Sequence, residues 1–138
     1  MEEKSNMELI GEFIETCPFL NKGKVNLDYI KEKPQSYSID ETPVEPILNH
    51  FKDGGRRMQI QFDFSIQASF SVVENIKNSK FCDNYIKWIY EQNEKGNLPK
   101  IEGIDWIKCL GRGTITRTSE TTAIYSIPMQ VAYAEEAF

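Results

Sequence analysis

A chain of 138 residues falls in the commonest size range for a single domain and is long enough to bury a real core. Its 40% apolar and 12% aromatic content excludes wholesale disorder. A net charge of −5 argues against a dedicated nucleic-acid binder, which shows a basic excess, although a local basic patch is compatible with it.

The opening stretch, MEEKSNMELIGEF, is acidic and amphipathic. It lacks the basic region and apolar run of a secretory signal. No stretch approaches the ~18 apolar residues of a membrane span. A soluble chain made in the cytoplasm is the expectation.

Ser5-Asn6-Met7-Glu8 has the form of a capping box. Leu9, Ile10, Phe13, Ile14 and Cys17 follow at helical spacing, and Pro18 is the predicted stop. Val25, Leu27 and Tyr29 alternate, Lys31 to Pro34 marks a turn, and Ser36 to Ile39 suits a short strand. Pro46 to Phe51 fits a helical turn or an extended segment, and Asp53-Gly54-Gly55 signals a loop.

The strongest periodicity comes next. Met58, Ile60, Phe62, Phe64, Ile66, Ala68 and Phe70 alternate strictly with polar residues, which predicts a long strand with one buried face. Its length predicts a bend or a projection beyond the sheet. From Ser71 to Asn93 the spacing turns helical, with two apolar stripes out of phase across Asn78-Ser79. They predict a short helix, a break, and a main helix capped by Ser79 and stopped by Gly96, with Tyr85 and Trp88 facing the sheet.

Ile104 to Thr118 reads as strand interrupted by Gly111 and Gly113, and Ser119-Glu120 as a turn. Ala123, Tyr125, Ile127, Met129, Val131 and Tyr133 alternate in a last strand. Pro128 within it predicts an edge position or a bulge. The sum is one domain over residues 1–138, of α+β class, with helices packed on one face of a mostly antiparallel sheet.

Chemistry-bearing patterns are sparse. Cys17, Cys82 and Cys109 lie far apart, without the paired spacing of zinc sites, and read as reduced, mostly buried residues. His50, the only histidine, precedes Asp53-Gly54 and is similar to the HxxxDG signature of chloramphenicol-type acetyltransferases, with one residue too few between His and Asp. Glu41, Glu45, Glu91 and Glu94 read as solvated carboxylates. Gly111-Arg112-Gly113 suits either an anion nest or a bulged strand, the bulge being the expectation. No catalytic residue, metal ligand or cofactor is expected. Four arginines, Arg56, Arg57, Arg112 and Arg117, stand against twelve lysines and lie at loop or strand ends. Arginine suits forked contacts with carboxylates, so salt bridges between subunits are one reading of this placement.

Several short stretches together resemble a family of small Firmicutes phage and prophage tail proteins, sometimes labelled minor capsid or, misleadingly, chloramphenicol resistance proteins. They are Glu15-Thr16-Cys17-Pro18-Phe19-Leu20, Ser36-Tyr37-Ser38-Ile39, Pro43-Val44-Glu45-Pro46-Ile47, the alternating run from Gln59, Asn78-Ser79-Lys80-Phe81, Trp88 through Gln92, Glu94-Lys95-Gly96-Asn97-Leu98-Pro99, and Gln130-Val131-Ala132-Tyr133. The resemblance implies a tail-terminator-like fold and a tail terminator or tail-to-head joining role. In that role a sixfold ring of subunits stops tube growth at the head-proximal end and meets the neck. In a headless, phage-tail-like bacteriocin it would be the closing collar.

Implied partners are further copies of the chain, the tail tube protein, and sheath and neck or connector proteins, with DNA only in transit through the channel. The particle would be assembled in the host cytoplasm. Asp53, Arg56, Arg57, Arg112, Arg117 and the terminal aromatic Phe138 are the residues expected at subunit or tube contacts. Ring subunits need head-to-tail contacts that close, and an acidic subunit suits a channel through which DNA slides. Two other readings stand beside this one: a different tail or neck component, such as a tube or adaptor protein, and an acyltransferase using His50.

Overall fold

The computed structural model describes residues 3–20, 25–27, 36–69 and 72–136. Nine elements occur among them: α1 (Asn6–Glu15), β1 (Val25–Leu27), β2 (Ser36–Thr42), β3 (Ile47–His50), β4 (Arg56–Ser69), α2 (Val72–Lys95), β5 (Ile104–Cys109), β6 (Thr114–Thr118) and β7 (Thr122–Glu135). The predicted turn at Lys31 to Pro34 lies outside the described residues.

The sheet is built on β4 and β7. Their alternating apolar residues fall into register, pairing antiparallel without interruption from Arg56 opposite Glu135 to Ser69 opposite Thr122. On the far side of β4 lie β2 and β3, both antiparallel to it, and β1 adds in parallel to β2. On the far side of β7 lie β5 and β6, both antiparallel to it. The class is α+β with a mostly antiparallel sheet, as its alternation predicts.

One face of this sheet carries the core. Ile60, Phe62, Phe64 and Ile66 of β4 sit opposite Val131, Met129, Ile127 and Tyr125 of β7, and all eight are buried. Tyr37 and Ile39 of β2 and Ile107 of β5 extend the same face. Tyr85 of α2 stacks on Phe64 at 4.5 Å between ring centroids, and Trp88 meets Phe13 of α1 at 5.1 Å. Both helices thus converge on that face. Each such large side chain contributes roughly 1.5–3 kcal/mol by leaving water.

α1 begins with the capping box its sequence predicts. Glu8 N–H donates to Ser5 Oγ at 3.2 Å, and Ser5 N–H donates to Glu8 Oε1 at 3.3 Å. It ends at Glu15, ahead of Pro18, with Thr16 as its C-cap. α2 closes on Gly96, whose φ of +76° lets Asn97 N–H return to Gln92 C=O at 2.9 Å.

Three expectations are corrected. α2 runs unbroken through Asn78-Ser79. Two middling helix formers cost only about 0.5 kcal/mol each in a helix interior, less than opening a helix whose later stripe is buried. β4 does not project, because β7 matches its 14 residues along the whole length. The interruption expected at Gly111 and Gly113 is present, and it divides Ile104 to Thr118 into β5 and β6, each separately paired with β7. Pro128 lies in a central strand rather than at an edge, without a register shift against β4. Its carbonyl accepts from Leu110 N–H at 2.7 Å, so its nitrogen points the same way, toward the passage from β5 to β6. The missing donor falls where the ladder is already interrupted. The ambiguous Pro46 to Phe51 segment resolves as extended, forming β3.

Candidate assembly surface

The sheet face turned away from the helices is polar and knitted together by side chains. Gln59 Oε1 accepts from Gln130 Nε2 at 2.7 Å and from Gln61 Nε2 at 3.0 Å, while Gln59 Nε2 donates to the Glu45 carbonyl at 2.7 Å. Ser65 and Ser126 share a hydroxyl hydrogen bond of 2.8 Å, and Thr116 Oγ1 lies 3.3 Å from Ser126 Oγ. Much of it is buried, with Ser38, Ser65, Gln67, Ser126 and Gln130 each at most 9% exposed, so its amides and hydroxyls form a fixed polar network and not an open surface. Such cross-strand contacts depend on register, which alternation alone does not disclose.

The residues expected at contacts fall in two places. Asp53, Arg56 and Arg57 gather at the β3–β4 end of the sheet and are engaged within the chain. Asp53 Oδ1 accepts from Gly55 N–H at 2.9 Å and shapes the turn. Arg56 pairs with Glu135 at 2.7 Å across β4 and β7. Arg57 reaches Asp105 of β5 at 3.1 Å and lies over the Phe51 ring at 5.7 Å. Arg112 and Arg117 lie apart from these, exposed, on the β5–β6 passage and on β6, with no ion-pair partner among the described residues. Phe138 lies outside the described residues.

The strand edges differ from one another. On β5, the side chain of Asn93 from α2 takes up both backbone groups of Ile107: Oδ1 accepts its N–H at 3.1 Å, and Nδ2 donates to its carbonyl. Asn93 Nδ2 also reaches Ile89 C=O at 2.8 Å, so one amide ties the end of α2 to this edge. β6 has no comparable cover among the described residues, and all five of its residues are exposed. Across the sheet, β3 also forms an edge, with Leu48 40% exposed. Of the five large apolar side chains that stand exposed among the described residues, three belong to edge segments: Leu48, Leu110 and Ile115.

Other features read as structure. His50 is exposed on β3, and the Asp53 carboxylate that the acetyltransferase-like reading needs is turned into the adjacent turn. Neither Gly111 nor Gly113 adopts the positive φ that an anion nest would draw from its glycines. Gly113 instead lies against Cys82, where an added Cβ would stand 2.7 Å from Sγ. Burial pushes the thiols up, Cys17 and Cys82 to about 11 and Cys109 to about 12. A cleft of about 500 Å³ between α1 and the loop after α2 is floored by Phe13, Trp88 and Leu98 and rimmed by Glu12 and Lys100. No helix among the described residues is long and apolar enough to cross a membrane. By sequence, the chain matches no protein-family model and no curated protein.

Proposed function

We propose that the protein is a structural subunit of a phage tail or phage-tail-like particle. In this reading its copies form a ring, hexameric by the resemblance above, that caps the head-proximal end of the tail tube. The ring ends tube polymerisation and either joins the neck or closes the particle as a collar.

The observation that carries the assembly part is the pair of strand edges at opposite sides of one sheet. A heterologous ring needs two different, complementary surfaces on each subunit, and two unlike edges provide them. The particle itself is supplied by the resemblance of the tail-protein motifs.

Adding purified protein to isolated tail tubes tests this reading. Negative-stain images should show density at one tube end only and no further elongation when tube protein is supplied. Protein that spreads along the tube wall or polymerises into filaments would point to a tube or sheath-associated part. Absence of any attachment would remove the proposal.

A further inference from the structure

Resting on that reading, we infer that subunits join by strand addition, with the outer edge of β6 receiving β3 of a second copy. β6, Thr114 to Thr118, offers an edge without cover among the described residues; all five residues are exposed and all but Arg117 are β-branched. An unpaired edge presents a row of N–H and C=O groups that another strand satisfies. The neighbouring edge strand β5 is closed to such pairing at Ile107 by the Asn93 amide, so on this side of the sheet β6 is the open edge among the described residues.

Strand direction selects the partner. β3 is antiparallel to β4, β4 to β7, and β7 to β6, so β3 and β6 of one chain run in opposite directions. A second copy set beside the first in the same orientation therefore brings its β3 antiparallel to β6. The two strands sit toward opposite ends of the β4–β7 pair. Each added subunit is thus offset along the strands, which is the stagger a closing sheet requires of tilted strands.

The side chains agree with this pairing. Ile115 on β6 is 46% exposed and Leu48 on β3 40% exposed, one large apolar group on each edge. Arg112 and Arg117 stand on the β6 side. Glu41 and Glu45 are exposed on the β2–β3 side, and none of the four has an ion-pair partner among the described residues. Joining the edges brings unlike charges together and covers both apolar groups. Pairing β6 with a second β6 would instead gather the arginines.

Charge reversal on each edge tests the inference, with native mass spectrometry and tube-end imaging as readouts. Arg112→Glu with Arg117→Glu makes both edges of one chain acidic, and Glu41→Arg with Glu45→Arg makes both edges of another basic. Each variant alone should lose self-association by on the order of a hundredfold, because like charges then face each other across the joint. An equal mixture should recover it as even-numbered, alternating assemblies. Unchanged circular dichroism melts would establish that the variants fold; should the arginine variant not fold, Ile115→Glu, which puts an acidic group on the same edge, takes its place. Variants that each still assemble like the parent chain would overturn the edge pairing and leave the ring reading standing. Dimers formed by the Glu41→Arg, Glu45→Arg chain alone would show β6 pairing with itself and also overturn the inference. A parent chain that stays monomeric both in solution and at tube ends would remove the ring reading with it.

Discussion

Gly96 and Gly103 share a backbone angle, φ +76°, yet stand in different surroundings. Nothing lies within 4 Å of a Cβ built on Gly96, whereas one on Gly103 would stand 2.3 Å from the Ala134 carbonyl oxygen. Gly96→Ala should cost the left-handed penalty alone, roughly 1–2 kcal/mol, and Gly103→Ala distinctly more, because β7 backbone must move. Urea unfolding of the two variants checks the order, and equal losses would contradict it. Asn93 is the other residue on which local structure turns. Asn93→Ala strips two backbone groups of Ile107 of their partner and should cost about 1–3 kcal/mol in the same assay. Neither the Asn93 clamp nor the engagement of Arg56 and Arg57 was legible in the sequence. Arginines at strand ends read equally well as free or paired until register brings Glu135 opposite Arg56. Arg112 and Arg117, exposed and without an ion-pair partner among the described residues, carry the same sequence signal as the two that are paired.

Elements with strong periodicity and clear caps were legible; those decided by tertiary pairing were not. The 14-residue strand β4, the last strand β7 and the capped helix α1 follow directly from spacing. The break assigned at Asn78-Ser79 failed because a phase shift in apolar residues resembles a helix end, while buried contacts of the later stripe hold α2 together. Two serines separate these cases experimentally. Ser5 is a true N-cap, so Ser5→Ala should cost about 1 kcal/mol. Ser79 lies exposed inside a helix, so Ser79→Ala should be neutral or slightly stabilising. A loss at Ser79 equal to that at Ser5 would restore the broken helix. Pro128 misled for a related reason: its missing donor argues for an edge unless the neighbouring strand is interrupted there, and only the observed topology reveals that interruption.

At the scale of the whole molecule, burial of the three thiols and of Tyr85 ties stability to pH. Their folded-state pKa values lie above those of the unfolded chain, with Cys17 and Cys82 near 11, Cys109 near 12, and Tyr85 raised well above 10.0 by burial. Above pH 9.0 the unfolded chain therefore binds fewer protons than the folded one. Stability should be level with respect to these groups below that point and fall as pH rises through the folded values, a loss that alanine at the cysteines would reduce. Denaturation midpoints across the alkaline range check this, and midpoints that rise there would contradict it. Polarity has a similarly global arrangement: helices and apolar side chains fill one face, amides and hydroxyls occupy the other, and the largely exposed strands β3 and β6 lie on opposite sides of the sheet. The measurement that bears most directly on the assembly account is tail-tube length in particles from cells lacking the gene, read by negative-stain electron microscopy. Tubes of runaway or irregular length, corrected when the gene is returned, are the predicted result. Particles unchanged in length and in infective or bactericidal activity would contradict the account.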